Sequence, residues 1–203
     1  MFFGRVAEIA RAKASSSGPQ VGRTRSTAFR KMFDGGTSSP SSHLCTTLSE
    51  GRGTTRPLET LGAPDLDADA LLEKMQSLEP AWLRGCRLRA CWFEPTFHKH
   101  AGKLCAGLQI HVEAPGYAHD AFRPWRLVGL AFKALRMLRS DYPLWRDFPY
   151  EYETRLPIDV INGGSLLREW VDDPAARPGD LDAAARADED AWREEREAVL
   201  LYR

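Results

Sequence analysis

The sequence has no excess charge of either sign and no long apolar run. Its 28 Lys and Arg residues balance 28 Asp and Glu residues, so the whole chain carries no field that would favour nucleic acid or an anionic membrane. No segment approaches the ~20 consecutive apolar residues of a membrane helix. The apolar run at Val6–Ala10 is broken by Glu8, unlike the core of a signal peptide. As it stands, the sequence predicts a cytoplasmic product that binds neither nucleic acid nor membrane.

Cysteine is scarce and follows no recognised spacing. No CxxC pair and no zinc-type spacing is present, so the thiols are predicted to be free and mostly packed. His98 and His100 form an HxH pattern, which alone is a weak metal signal. The sequence therefore predicts no metal site and no cofactor. The four cysteines are Cys45, Cys86, Cys91 and Cys105.

The N-terminal segment lacks the pattern of a folded domain. Residues 14–43 are rich in Ser, Gly, Thr and Arg and show neither helical nor strand periodicity, so we expect them to be disordered. Residues 1–31 hold seven basic side chains against one acid, Glu8, but lack interleaved aromatic residues. An unstructured tail is therefore favoured over a nucleic-acid-binding arm.

Two segments in the middle of the chain alternate apolar and polar residues as β-strands do. They span residues 86–93 and 104–112. The polar face of the second segment, with Gln109 and His111, is predicted to point toward solvent or a cleft. Residues 94–103, EPTFHKHAGK, are too long for a tight hairpin and are predicted to form a loop, which is where functional side chains often lie.

Helical periodicity appears in four segments, at about residues 67–78, 124–142, 165–171 and 179–197. Asp67 is predicted to cap the first. The second begins with Pro124 and is apolar around most of its circumference, so it should be the most buried helix. Residues 47–64 are rich in turn residues, and no strand is predicted there. The expected fold class is α/β, with a small antiparallel or mixed sheet and packed helices.

Residues 48–57, LSEGRGTTRP, combine a carboxylate, two arginines, two glycines and two threonines without a large apolar residue after Leu48. Gly51 and Gly53 allow positive φ and the close approach of a ligand. Arginine forks suit a carboxylate, and threonine hydroxyls suit sugar oxygens. Composition also leaves open a structural turn whose arginines pair with nearby acids.

Four blocks of the sequence resemble consecutive blocks of a known enzyme family. They are SEGRGTTRPLE-x-x-GAP, FEPTFHKHAGKLCAGLQIHV, PYEYETRLPIDVINGG and the terminal LLYR, and they cover about residues 47–203. This sequence is similar to the NamZ-type exo-β-N-acetylmuramidases, a bacterial cell-wall glycosidase family long described as a domain of unknown function. The resemblance implies a two-domain hydrolase with a Rossmann-like N-terminal domain, a smaller α/β C-terminal domain and a cleft between them. The implied reaction is exo-acting removal of non-reducing-end N-acetylmuramic acid from peptidoglycan fragments.

The sequence departs from the family before the first block. Family members carry a much longer segment there, with the Rossmann-like domain and a glutamate taken as the catalytic acid. We therefore expect residues 1–46 to be a non-family segment and residues 47–203 to be the C-terminal domain of a truncated enzyme. The Rossmann-like domain would then be missing, or supplied by a separate partner. Such a chain should show little or no activity alone, and the alternative is a non-catalytic remnant that binds muropeptide or docks to a partner domain.

Glu50 is the candidate catalytic residue, because glycoside hydrolysis uses two carboxyl groups and Glu50 lies in polar, glycine-rich surroundings. Arginine side chains suit the lactyl carboxylate that distinguishes muramic acid from glucosamine. The alternatives are that Glu50 braces a turn, that the arginines form structural ion pairs and that Tyr150 packs beneath the last helix. The predicted substrate-binding residues are Arg52, Thr54, Thr55, Arg56, His98, Lys99, Tyr150 and Glu151.

Overall fold

The computed structural model describes residues 45–113, 115–148 and 154–201. In this part of the chain, three strands form an antiparallel sheet: β1 at Thr60–Ala63, β2 at Arg87–Phe93 and β3 at Cys105–His111. The strand order is β1-β3-β2. The predicted small sheet is confirmed, in its antiparallel form. The prediction of disorder in residues 14–43 lies outside the described residues.

β3 lies in the centre of the sheet, and both of its faces are covered. Every residue of Cys105–Ile110 is buried, and Gln109 is among them, so the prediction that Gln109 points toward solvent or a cleft is wrong. One reason is that the loops before β1 and after β2 are joined across that face, where the Thr96 amide donates to the Arg52 carbonyl at 3.0 Å. Only His111, at the end of the strand, is partly exposed.

β1 was not foreseen in the turn-rich residues 47–64. It is four residues long and contains Gly62. Its strand character comes from pairing with distant β3, as in the opposition of Leu61 and Leu108. Gly62 lies opposite Gly107, and a Cβ at either position would fall within 2.3 Å of a backbone atom of the other strand. The two glycines therefore allow an unusually close approach of β1 and β3.

The helices in the described residues are α1 at Ala68–Leu78, α2 at Pro124–Leu138, α3 at Pro157–Ile161, α4 at Leu166–Asp172 and α5 at Pro178–Glu197, and a 3-10 turn lies at Pro80–Leu83. Asp67 caps α1 as predicted, because its carboxylate accepts from the Ala70 amide at 2.9 Å. α2 ends four residues before the predicted position 142. Beyond Leu138 the chain turns back, and the Tyr142 amide donates to the Arg139 carbonyl at 3.1 Å.

α2 crosses the core and is buried from Arg126 to Leu135, which confirms that it is the most buried helix. It includes Lys133, whose ammonium group donates to the carbonyls of Trp170, at 2.8 Å, and of Asp173. These acceptors lie at the C-terminal end of α4, where helix carbonyls lack partners of their own. Lys133 therefore links α2 to α4 through hydrogen bonds. The four thiols are free, as predicted, and three of them are buried.

Candidate functional site

Glu50 follows residues 45–49, a segment that is held from two sides by main-chain hydrogen bonds. On one side Ser49 forms a bridge with Gly62 of β1, with N–H···O distances of 2.7 and 3.1 Å. On the other, the Thr47 amide donates to the Leu144 carbonyl at 2.9 Å and the Arg146 amide donates to the Cys45 carbonyl at 3.0 Å. The backbone that carries Glu50 is therefore fixed by long-range main-chain pairing.

The glycines after Glu50 form a tight turn. Gly51 and Gly53 have φ values of 69° and 80°, as the sequence predicts for these two positions. A Cβ at Gly51 would lie 2.1 Å from the Thr60 hydroxyl, and a Cβ at Gly53 would lie 1.7 Å from the Thr96 hydroxyl. The loop from Glu50 to Leu58 is closed by a hydrogen bond from the Leu58 amide to the Glu50 carbonyl at 2.8 Å. Glycine is required at both positions because other residues would be strained and would collide.

The Glu50 side chain is buried, with 0% of the residue exposed, and it is surrounded by cations. Its Oε1 accepts from Nε of Arg52, and its Oε2 lies 2.7 Å from Nζ of Lys99. Nδ1 of His98 lies 3.7 Å from Oε1. Burial alone would raise the pKa of Glu50, but the bonds from Lys99 and Arg52 outweigh it and lower the pKa to about 2. Glu50 is therefore ionised at neutral pH.

Lys99 is the innermost of these cations. Its side chain is 7% exposed, and its ammonium group also donates to the carbonyls of Thr46, at 3.1 Å, and of Leu48. Burial lowers the pKa of Lys99, and Glu50 opposes that shift. Lys99 thus binds two carbonyls and the carboxylate of the segment that ends in Glu50.

The two histidines beside Lys99 point in different directions. Both have left-handed backbones, with φ values of 71° at His98 and 57° at His100. Nε2 of His100 lies 2.9 Å from the Thr47 carbonyl, whereas the His98 side chain is 42% exposed beside Glu50. Burial lowers the pKa of His98, which outweighs the opposite effect of Glu50, so the imidazole is neutral at pH 7.

The other predicted binding residues are less closely grouped. Arg56 is exposed and paired with Glu113 at 2.6 Å and with Glu59 at 3.1 Å. The Thr54 hydroxyl donates to the Gly51 carbonyl at 2.6 Å, within the turn. Thr55 is exposed. The remaining two predicted residues, Tyr150 and Glu151, lie outside the described residues.

Sequence reasoning missed the contact between Lys99 and Glu50 and the presence of Arg146. Arg146 lies beside the segment before Glu50, and its charge contributes to the lowered pKa values of His98 and Lys99. No sequence signal links these positions, since the main-chain pairing of residues 45–47 with 144–146 brings them together. The described residues include no cluster of three or more His, Cys, Asp or Glu side chains that could hold a metal ion.

The geometry defines what this site can do chemically. A carboxyl group with a pKa of about 2 holds no proton to donate at neutral pH, so Glu50 is not suited to general-acid catalysis. It can accept a proton, stabilise positive charge or hold a cationic side chain in position. Arg52, with 35% of its side chain exposed, and His98 are the groups beside Glu50 that reach solvent.

No helix in the ranges that the structure covers combines the length and the apolar character needed to cross a bilayer.

Three findings relate the chain to known proteins. The family model described as exo-beta-N-acetylmuramidase NamZ, C-terminal, matches residues 44–202. The peptidoglycan beta-N-acetylmuramidase NamZ of Bacillus subtilis (strain 168) is 49% identical over 127 residues, which are 63% of this chain and 27% of that protein. A crystal structure of a DUF1343 family protein from Bacteroides fragilis superposes with a TM-score of 0.61 at 17% identity, over 88% of this chain and 42% of that one.

The last of these similarities supports the fold alone, because the identity is low. The chain spans about a quarter of the length of the Bacillus subtilis protein and 42% of the Bacteroides fragilis chain. The family match, in contrast, covers most of the chain and includes the segment around Glu50, the loop with Lys99 and helices α1 to α5. This chain belongs to the family of the C-terminal domain of the exo-β-N-acetylmuramidase NamZ.

Proposed function

We propose that this chain is the sugar-binding C-terminal part of a peptidoglycan β-N-acetylmuramidase that releases N-acetylmuramic acid from non-reducing ends. The observation that carries the proposal is the family match over residues 44–202, which includes the whole Glu50 cluster. The relative from Bacillus subtilis bears the name of this activity. Peptidoglycan-derived sugars are therefore the proposed ligands of the site.

The charge of the site suits a muramic sugar. One carboxylate, Glu50, faces the two permanent cations Arg52 and Lys99 in direct contact, with the charge of Arg146 nearby. The excess positive charge favours an anionic ligand. N-acetylmuramic acid carries a lactyl carboxylate, and arginine binds carboxylates through a planar fork. Arg52 is the proposed contact for that group, and Thr55 and His98 are proposed contacts for sugar oxygens.

As the catalytic carboxylate predicted from the sequence, Glu50 would act in its ionised form, whereas its full burial favours an indirect role. Glycosidases commonly use a second carboxyl group as the acid, about 5 to 10 Å from the first. The groups in direct contact with Glu50 are the side chains of Arg52, Lys99 and His98. We propose that the acid comes from the Rossmann-like domain implied by the family, as the other wall of the cleft.

A second candidate function is binding without turnover. It is favoured by the full burial of Glu50, which leaves Arg52 and His98 to meet a ligand. Such a domain would bind muropeptide, or dock to a separate Rossmann-like domain, and would hydrolyse nothing by itself. On either candidate we expect the chain alone to turn over substrate extremely slowly or not at all, because half a cleft does not hold an acid and its partner carboxylate in one geometry.

The test is release of the chromophore from a chromogenic N-acetylmuraminide by the purified chain, beside a Glu50→Gln variant. We expect no release above background from either protein. Turnover by the chain that disappears in Glu50→Gln would make Glu50 catalytic and overturn the expected inactivity. Binding of N-acetylmuramic acid without turnover would support the binding function, and absence of both would contradict the proposed sugar site.

A further inference from the structure

Lys99 joins three points of the segment that precedes the glycine turn. Its ammonium group contacts the carbonyl of Thr46, the carbonyl of Leu48 and the carboxylate of Glu50. All three acceptors belong to a segment of five residues, and all three lie within contact distance of one ammonium group. The ammonium group fills the space between them and fixes the direction of the Glu50 side chain.

The backbone on both sides of Lys99 is unusual for side-chain-bearing residues. His98 and His100 both have positive φ, a conformation that costs about 1 to 2 kcal/mol per residue. With His100 bound to the Thr47 carbonyl and Lys99 buried, the loop is held against the Glu50 segment at two successive residues. Such strain persists where surrounding contacts determine it, and it is common at functional sites.

Neither charge of this buried pair can contact a ligand directly. Glu50 is fully buried and the Lys99 side chain is 7% exposed. Their effect reaches the surface through Arg52, which donates its Nε to Glu50. Because a guanidinium group is planar, fixing its Nε edge also fixes the plane and direction of its two terminal nitrogens. Among the described residues, no recorded hydrogen bond uses those terminal nitrogens.

We infer that Glu50 and Lys99 are positioning residues, a buried ion pair that orients Arg52 so that its terminal nitrogens receive the carboxylate of an anionic sugar. This inference rests on the proposed function and deepens it, because it assigns carboxylate selectivity to two residues that do not touch the ligand. It also changes the role predicted for Lys99 from binding the substrate to holding the residue that does.

A purely structural brace is the competing explanation, and the two differ in a double variant. Removing Lys99 alone leaves the buried Glu50 carboxylate without its innermost cation, which destabilises the fold strongly, whereas Glu50→Gln leaves the Lys99 ammonium group with its two carbonyl acceptors. Removing both charges with side chains of similar shape, as in Lys99→Met/Glu50→Gln, is often close to neutral for stability. If the pair orients Arg52, this double variant is more stable than a variant that loses only the charge of Lys99. It still lacks the anion that holds the guanidinium group.

The experiment measures the affinity of the full chain for N-acetylmuramic acid and for N-acetylglucosamine, which lacks the lactyl carboxylate, by isothermal titration calorimetry. Thermal unfolding is measured on the same samples. We expect the wild type to prefer N-acetylmuramic acid and Arg52→Gln to lose that preference, with affinity reduced roughly 10- to 100-fold. The matched control is Arg193→Gln, which removes an exposed arginine of α5 that pairs with Asp190, and it should change neither readout.

For the double variant we expect a near-normal unfolding temperature together with at least about a tenfold loss of selectivity. If it fails to fold, Glu50→Gln alone gives the same readout, since its amide oxygen can still accept from Lys99. Full selectivity in a folded Glu50→Gln or double variant overturns the inference.

Equal affinity of the wild type for both sugars, or no affinity for either, also overturns the inference. No affinity for either sugar would contradict the proposed sugar site as well, whereas equal affinity for both sugars, or full selectivity in the folded variants, contradicts this inference alone.

Discussion

At the scale of single residues, the site around Glu50 carries more positive charge than is needed to neutralise one carboxylate. The pKa of Glu50 is lowered although burial opposes it, so its cations outweigh the loss of hydration. The pKa of Lys99 is also lowered, because for Lys99 burial outweighs the single carboxylate. The charged form is thus favoured at Glu50, which has two cationic partners, and disfavoured at Lys99, which is buried beside one carboxylate and the charges of Arg146 and Arg52. An additional anion beside Arg52 would reduce this imbalance.

Acid should destabilise the protein through Glu50. In the unfolded chain Glu50 titrates near 4.5, and in the folded chain at about 2. Because the folded value is the lower one, the stabilisation is fully present above the unfolded value and is lost as the pH falls toward the folded value. Between pH 6 and pH 3 the wild type should lose about 2 kcal/mol of unfolding free energy through this group.

The measurement is urea unfolding at both pH values for the wild type and for Glu50→Gln. The variant lacks the titrating group, so between pH 6 and pH 3 it should lose about 2 kcal/mol less unfolding free energy than the wild type. An identical loss in both proteins would show that Glu50 is not held ionised by its partners.

At the scale of elements, two loops act as one unit over the polar face of the sheet. The turn after Glu50 and the loop after β2 are joined by the hydrogen bond from Thr96 to Arg52, by the contact of Gly53 with Thr96 and by the pairing of Lys99 with Glu50. The loops come from different parts of the chain, and β1 and β3 connect them. The site is therefore positioned by the sheet, although its side chains lie on loops.

Substitution of Gly51 should destabilise the protein by more than the cost of a left-handed backbone at a non-glycine residue. Gly51→Ala meets both a positive φ of 69° and a Thr60 hydroxyl 2.1 Å from the new Cβ. The matched control is Gly102→Ala, which has the same φ of 69° but no atom within 4 Å. We expect a loss of about 1 kcal/mol for Gly102→Ala and of roughly 2 to 4 kcal/mol for Gly51→Ala, measured by urea unfolding. Equal losses would mean that the Thr60 side chain moves away from the new Cβ at no cost in stability.

The elements that the sequence predicts well are those whose signals are local. Asp67 caps α1 through an amide three residues away, and the alternation in residues 86–93 is visible within that segment. β1 was missed because its four residues gain strand character only from β3. The burial of Gln109 was missed for the same reason, since it depends on loops that cover the sheet from elsewhere in the chain.

The candidate site shows the same division between local and distant information. The sequence predicts the glycine turn, with positive φ at Gly51 and Gly53, from residue types alone. It does not predict that Lys99 binds Glu50, because these residues are brought together by the fold and by two left-handed histidines. The roles of Glu50 and Arg52 in binding or catalysis stay predictions.

At the scale of the whole molecule, the charges balance but the apolar surface is uneven. Trp92 and Leu104 are 69% and 57% exposed, although Ala106, Leu108 and Ile110 on the same face of the sheet are buried. Trp92 lies opposite Ala106, and Leu104 is two residues before Ala106, so the two exposed side chains are diagonal neighbours at one end of the sheet. Contiguous apolar surface of this kind marks a contact with another protein surface. A partner domain of the proposed enzyme would suit it.

Without such a partner the chain should associate with itself through this surface. A tryptophan side chain offers about 150 to 250 Å² of contact area, and each buried Å² contributes about 25 cal/mol. Trp92→Ser should therefore shift the association measured by sedimentation velocity to higher protein concentration, roughly tenfold or more. The control is Leu201→Ser, at an 89% exposed residue at the C-terminal end of the described residues, and it should leave the association unchanged. A wild type that stays monomeric at all concentrations, or a Trp92→Ser variant that associates as strongly, would show that this surface is not an interface.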